Sequence, residues 1–447
     1  MASVVVPTAD SRNASVAEDS LSLVGKRPGV FYRALASVSL SLLFVLIYGG
    51  SNFVASRVDG GSWFYSWELR IPFVPLLILP YLSIDLFFVA SFFLCANKTE
   101  LRAHCRRIAM AILAAGACFI LFPLSTGYPA PAVDGWTGDL FRFLWSFDRP
   151  HNLVPSLHIA LLSLLWSIYI RHTSGGTRAF VHIWFGLIFL SPLLTWQHHV
   201  VDVATGALLG QVCIFAFPQN CECGPTKSAS ANIKVGILYA AGSISVFVVA
   251  LALGGWWFLL LWPCISLGAV AVAYFRGDSA IFRKSGGRIP ISSRLVLGPY
   301  LFGVYLRVVL YRRRRADWLR STPGVICGRL PAGREARELI RNGVTAVLDL
   351  TAEHSPPRAF RNLDYLNIAV LDLTQPGPEQ LAATRAFLAD RSSRGCVYVH
   401  CALGISRSRT VVSDYIATMT PQQCSSLNRN HSDSKTGLKL LQLTNAK

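Results

Sequence analysis

The chain has 447 residues, of which 52% are hydrophobic and only 15% charged, and 42 Lys and Arg against 24 Asp and Glu leave a net charge of +18. Soluble domains carry about 25% charged residues. The deficit lies in the first 275 residues, which excludes a wholly soluble globule and points to a membrane segment with a soluble domain appended. The positive charge reads as basic loops against an anionic membrane face, with no nucleic-acid partner implied.

Residues 1–30 are polar at the start and lack the apolar core of a signal peptide, so they are predicted to be a disordered cytoplasmic tail. Residues 31–275 are predicted to be a polytopic membrane domain of eight spans, at 33–51, 71–95, 108–124, 156–171, 179–196, 200–217, 235–252 and 256–275. The loop charges set the orientation. Lys26, Arg27 and Arg33, then Lys98, Arg102, Arg106 and Arg107, then Arg171 and Arg178, then Lys227 and Lys234, and finally Arg276, Arg283, Lys284 and Arg288 fall on one side. The other side holds Arg57, Arg70, Arg142 and Arg149, so both termini are expected in the cytoplasm, where thiols stay reduced. Cys95, Cys118, Cys213 and Cys264 lie in apolar runs as small hydrophobes, and Cys221 and Cys223 form a pair without the second half a metal site needs.

Residues 276–316 read as a basic interfacial linker. Its apolar middle, Leu295 to Leu310, carries Gly298-Pro299 and Arg307 and runs into Arg312 to Arg315, which suits a half-buried helix with a basic collar. Residues 317–447 form the soluble domain. Strands are expected at 324–328, 344–350, 365–371 and 397–400, and helices at 334–342 (closed by Gly343), 378–389 and 408–418. This alternation predicts an α/β sheet with its ligand at the carboxyl ends of the strands, so the fold class is a multi-span α-helical membrane domain followed by an α/β domain.

The soluble domain centres on Val397-Tyr-Val-His-Cys-Ala-Leu-Gly-Ile-Ser-Arg-Ser408. A β-prone run delivers Cys401 to a loop whose backbone N–H groups can form an anion nest, and the next helix turns its positive end to the same point. Nest, helix end and Arg407 all favour a thiolate. Arg407 can grip two phosphate oxygens, and Gly404 gives the loop its freedom. Residues Ala402, Leu403, Gly404, Ile405, Ser406 and Arg407 are the expected phosphate cradle. The run HCALGISRS resembles the His-Cys-x5-Arg-Ser/Thr signature of the cysteine phosphatases, and residues 318–418 resemble the dual-specificity branch. The resemblance implies Cys401 as nucleophile, forming a phosphocysteine. Asp372, 29 residues earlier at the end of a strand, is the expected general acid, with Asp349 the runner-up. Ser408 would assist the thiolate as leaving group and His400 would orient the loop through hydrogen bonds. No metal or cofactor is implied. After residue 418 the resemblance weakens into a polar, irregular stretch.

In the membrane half, the segments 147–158 and 196–202 place ionisable residues at one face, and intramembrane ionisable groups are functional candidates. His198 and Asp202, four apart, share a face if both lie on the first turn of a helix. A carboxylate on one imidazole nitrogen makes the other more basic, which suits a nucleophile, and His158 could protonate a leaving oxygen. These motifs resemble the type 2 phosphatidic acid phosphatase superfamily, in its inositol phosphorylceramide synthase-like branch. The resemblance covers 70–217 and implies a phosphorylated His198, its partner Asp202, and His158 as acid–base residue. It departs at Pro192, where the superfamily carries an Arg, leaving Arg149 and His151 as cationic candidates.

Together these features imply a bifunctional phosphatase of a bacterial inner membrane with its C-terminal domain cytoplasmic. A His-dependent lipid phosphatase or phosphotransferase would work at the outer face, and a Cys-dependent phosphomonoesterase at the inner. The expected partners are membrane lipids and a phosphorylated lipid headgroup or phosphoprotein substrate. The alternative is a membrane-anchored protein phosphatase whose membrane half is inactive.

Overall fold

A computed structural model describes residues 27–58, 61–129, 131–147, 152–219, 226–253, 255–314, 320–322 and 324–418. Residues 1–26 of the tail expected at 1–30, Arg149, His151, Cys221, Cys223 and the stretch after Thr418 lie outside these residues. The chain divides into two compact units, Met1–Asn220 and Cys221–Lys447.

The first unit is helical: α1 Val30–Ala55, α2 Ile78–Leu94, α3 Lys98–Leu121, α4 Gly135–Phe147, α5 Leu157–His172, α6 Gly175–Leu194 and α7 Val200–Ala216. Its core is a seam of Phe88, Phe92, Ile112, Phe119, Leu161 and Phe185. Helix α3 begins ten residues before the apolar run expected there. Asn97 Oδ1 accepts from Glu100 N at 2.8 Å while Glu100 Oε2 accepts from Ala96 N at 2.7 Å, a reciprocal cap that starts the helix at Lys98. Arg107 is therefore not the loop charge it was expected to be. It is buried, and its Nε donates to Phe217 O at 2.8 Å. Helices α5 and α7 touch through glycines. A Cβ on Gly206 would come within 2.3 Å of Ser156 O, and one on Gly210 within 2.6 Å of the Ser163 Cβ. This close approach brings the first turn of α5 and the entrance to α7 to one end of the unit.

The second unit opens with α8 Ile233–Leu253 and α9 Leu261–Arg276, continues through α10 Ile291–Val296 and α11 Gly298–Arg314, and then forms the sheet. Among the described residues six helices are long and apolar enough to cross a membrane, and α5 and α7 are shorter apolar helices. Each of the eight expected apolar runs lies on one of these eight.

The strands are β1 Arg320–Thr322, β2 Val325–Arg329, β3 Val344–Thr351, β4 Asp364–Val370 and β5 Cys396–Cys401, in the order β1-β2-β5-β3-β4. Only β1 runs antiparallel. Helices α12 Gly333–Arg341, α13 Pro378–Ser392 and α14 Arg407–Ala417 complete it. The two faces follow the period-2 pattern of β5. Val397 and Val399 join Leu348, Leu388 and Val411 on one side, and Tyr398 joins Ile326, Leu339 and Phe360 on the other. Covered on both faces, β5 is a continuous apolar run, as parallel strands are. Gly343, at φ +92°, ends α12 as expected. Cys401 pairs with Arg329 and His400 with Asp349, so the carboxyl ends of β2, β5 and β3 meet at one edge.

Candidate active site

Cys401 is the last residue of β5 and Arg407 the first of α14, so residues 402–406 form the loop between strand and helix. The loop folds back over the sulfur: Gly404 N–H donates to Cys401 Sγ at 3.2 Å and Ser408 Oγ lies 3.4 Å from it. Gly404 has φ +72°, and a Cβ there would meet Arg329 N and Gly328 C at 2.8 Å, so the bend is open to glycine alone. The loop is pinned from outside as well, by Leu330 N–H to Ala402 O at 3.2 Å and Arg409 Nε to Gly404 O at 3.1 Å.

Arg407 is buried, and its fork is already engaged. Nη1 and Nη2 donate to the two carboxylate oxygens of Glu353 at 3.0 and 2.8 Å, Nη1 also to Val370 O at 2.8 Å, and Nη2 lies 3.0 Å from Asp372 Oδ1. This bidentate pair fixes the plane of the guanidinium. Burial works against the charge on Arg407, but Glu353 and Asp372 hold its pKa well above the ordinary value. Burial likewise pulls Glu353 upward, and Arg407 outweighs it and holds the carboxyl below the usual range.

Residues 313–446 match the family model of PTP-SAK, the Swiss Army Knife protein with a DSP-PTPase phosphatase domain. Dual specificity protein phosphatase 26 of Bos taurus is 31% identical over 159 residues, 31% of this chain and 72% of its own. The chain belongs to the dual-specificity phosphatases. The Homo sapiens phosphatidylglycerophosphatase and protein-tyrosine phosphatase 1 is 29% identical over 136 residues, 28% of this chain and 68% of its own. Among solved structures, Tk-PTP in the active form covers 28% of this chain and 92% of its own, at 22% identity and a TM-score of 0.20. This dual-specificity phosphatase is a cysteine-dependent hydrolase of phosphoric monoesters.

The two candidate acids of the dual-specificity phosphatase part company in the structure. Asp372 stands just past β4, partly exposed, with its carboxylate between Arg407 and Arg307 of α11. Asp349 is wholly buried. Lys284 Nζ donates to its Oδ2 at 3.0 Å, Tyr365 OH to the same oxygen at 2.6 Å, and Thr351 N and Oγ1 to its Oδ1 at 2.8 and 2.7 Å. Burial would raise Asp349, yet Lys284 and these donors hold it below the usual carboxylate range. With no room to hold or pass a proton, Asp349 is a structural anion and not an alternative acid. His400 is buried beside it, with Nδ1 3.7 Å from Asp349 Oδ1, beyond hydrogen-bond length. Burial lowers its pKa against the pull of Asp349. Neither ring nitrogen has a hydrogen-bonded side chain among the described residues; the ring's polar contact is with the backbone of Cys401, which leads into the loop.

Two residues of the phosphatase escaped the sequence reading. Glu353 carries Arg407, and its signal was available: an acidic residue just past a strand's carboxyl end, the same criterion that singled out Asp372. Lys284 was expected to be a loop charge after the last span. It is instead buried, bonded to Asp349 and to Thr351 O at 2.6 Å, and nothing in its flanking sequence marks it as different from Arg283 or Arg288.

In the first unit, His198 Nδ1 lies 3.4 Å from Asp202 Oδ2. The two do not share a helical turn: α7 begins at Val200, and Asp202 caps it by accepting from His199 N at 2.7 Å. His158, on the first turn of α5, is within electrostatic reach of His198, stacks on Tyr81 at 4.4 Å between centroids and has an unpartnered, buried Nε2. The structure thus gathers all three. His199 has the more complete carboxylate pair. Its Nδ1 meets Glu68 Oε2 at 3.2 Å, its Nε2 accepts from Gly127 N at 3.0 Å, and Tyr128 and Phe64 stack on its faces. Sealed on both nitrogens, His199 organises the loop, and the unread partner is Glu68.

Proposed function

We propose that this protein is a membrane-bound phosphatase with two sites. At the first, the Cys401 thiolate attacks a phosphomonoester, Asp372 gives its proton to the departing oxygen, and the phosphoryl group rests on sulfur as phosphocysteine. Asp372 then takes a proton from water as its oxygen attacks phosphorus, and the thiolate leaves against the Ser408 hydroxyl and the Gly404 N–H. Phosphate is held by Arg407 and by the backbone of residues 402–406. The observation that carries this is the sulfur capped at 3.2 Å by the Gly404 N–H on a loop whose arginine is preset by Glu353. A phosphorylated lipid headgroup is the favoured substrate and a phosphoprotein the alternative. The apolar helices and the arginines of α11 support work at a lipid surface, and one relative's name couples phosphatidylglycerophosphatase with protein-tyrosine phosphatase. The excess of Lys and Arg on alternate loops supports eight spans in an inner membrane with the catalytic loop cytoplasmic.

The gathering of His158, His198 and Asp202 supports a second, His-dependent phosphoryl site in the membrane half, a hydrolase or transferase acting on lipid. One experiment separates the readings. In proteoliposomes, Cys401→Ser should abolish hydrolysis of para-nitrophenyl phosphate by ~10³-fold or more and leave a lipid phosphatase activity that vanishes when His198→Ala is added. If Cys401→Ser alone removes all activity on lipid, the membrane half is an inactive anchor.

A further inference from the structure

A cavity of about 640 Å³ lies in the second unit between helices α10 and α11 and the loops that follow β2 and β3. Arg294 and Arg312 line it from the helices, and Arg337 and Arg358 from the phosphatase side. Arg294, Arg337 and Arg358 are exposed and make no ion pair among the described residues. Arg312 gives one N–H to Leu330 O at 2.7 Å, and its buried Nε has no hydrogen-bond partner. His354, 7% exposed, lines the same space with Nε2 unbonded and 4.0 Å from Glu353. The one carboxylate in the wall, Glu353, is committed to Arg407. Four arginines and a histidine therefore line a space whose one carboxylate is already paired. Three of the four arginines are exposed and so within reach of an entering ligand, and guanidinium forks match phosphate oxygens.

Helix α11, which forms one wall, also carries exposed apolar side chains. Phe302, Tyr305, Leu306 and Leu310 of α11 are exposed by 69, 58, 44 and 46%. Phe302, Leu306 and Leu310 recur every four residues as one outward-facing stripe outside the cavity, while Leu301 and Tyr305 of the same helix line it. A ligand whose charged end enters among the arginines would have Ile289, Leu301 and Tyr305 of the lining for its apolar end, on a helix whose outer stripe suits a lipid surface. We infer that the cavity is a binding site for the phosphorylated headgroup of an anionic membrane lipid, separate from the catalytic loop: none of residues 402–406 lines it. The inference rests on the lipid-surface placement proposed above. It does not rest on the chemistry at Cys401.

The test uses the full chain in an uncharged detergent with the catalytic loop closed to phosphate. Cys401→Asp, which puts a fixed carboxylate in the nest, is one preparation. Cys401→Ser under saturating tungstate is the other, should the first not fold. Native mass spectrometry counts bound dioctanoyl phosphatidic acid. One molecule per chain is expected, held at least tenfold more weakly by Arg294→Gln/Arg337→Gln/Arg358→Gln, whose side chains are exposed and whose folding is checked by an unchanged thermal midpoint without ligand. Dioctanoylglycerol should not be retained, and glycerol 3-phosphate should bind at least tenfold more weakly than the lipid. No retained phosphatidic acid, or equal retention by the triple variant, overturns the site. Equal binding of glycerol 3-phosphate overturns the lipid assignment. Loss of para-nitrophenyl phosphate hydrolysis by the unmodified chain would sink the catalytic reading alone and leave this one standing.

Discussion

The residue on which the chemistry turns, after Cys401 itself, is Glu353. It spends both oxygens on the fork of Arg407, so it presents the guanidinium without touching phosphate. Glu353→Gln keeps the shape and loses the charge, leaving Arg407 buried with Asp372 as its remaining acidic partner. Removing one member of a buried pair costs about 3–5 kcal/mol, and part of this remains with a neutral isostere. Thermal unfolding should show the loss, and kcat/KM for an aryl phosphate should fall by roughly 10–100-fold, in kcat more than KM, because the misaligned arginine fails most as charge builds on phosphorus. An unchanged kcat would remove Glu353 from the catalytic arrangement.

At the scale of elements, the segment between α9 and the sheet is built into the phosphatase. Lys284 reaches Asp349 under the sheet's carboxyl edge, and Arg307 of α11 reaches Asp372. Half of α11 is core: Tyr300, Val304 and Val308 are buried while Phe302, Leu306 and Leu310 face outward. Lys284→Met should destabilise the second unit by about 3–5 kcal/mol, since Asp349 is left charged and unpaired by a cation. Lys284→Met with Asp349→Asn should recover much of it. Chemical denaturation of the two variants checks the coupling. The sequence made the half-buried helix legible, because its apolar residues and its closing arginines are local. It could not reveal the partners of Lys284 and Arg307, because a contact spanning 65 residues leaves no mark on its neighbours.

Across the molecule, the acidic limit of stability follows from the buried ionisable groups of the second unit. His400 and His354 have pKa values lowered by burial. Below about 6.5 the unfolded chain binds protons that the folded state refuses, so their contribution is present above that pH and lost as pH falls through it. Asp349 and Glu353 have depressed pKa values, so their contribution is present above about 4 and is lost as pH falls further. The second unit should therefore lose stability in two stages on acidification. Urea midpoints between pH 8 and pH 3, followed through Trp and Tyr signals, should show both, and His400→Asn/His354→Asn should flatten the first. Much of this unit was legible: the strands at 344–350 and 397–400 and the helix ended by Gly343 fall within a residue or two of their expected bounds, because period and turn chemistry act locally. The first unit was legible as helices. Less so were Glu68, on a short 3-10 turn, and α4, whose amphipathic pattern is too short to resemble a span.

The burial of Lys284 also bears on how such an enzyme could be switched off. A protease that cuts between α11 and β1 would seem to liberate a soluble phosphatase, yet the fragment would leave behind the lysine under its active edge and the arginine beside its acid. Cleavage there should extinguish the enzyme instead of releasing it. A site-specific protease sequence inserted after Arg315 would show this: hydrolysis of para-nitrophenyl phosphate should decay once the fragment has been washed away from the membrane.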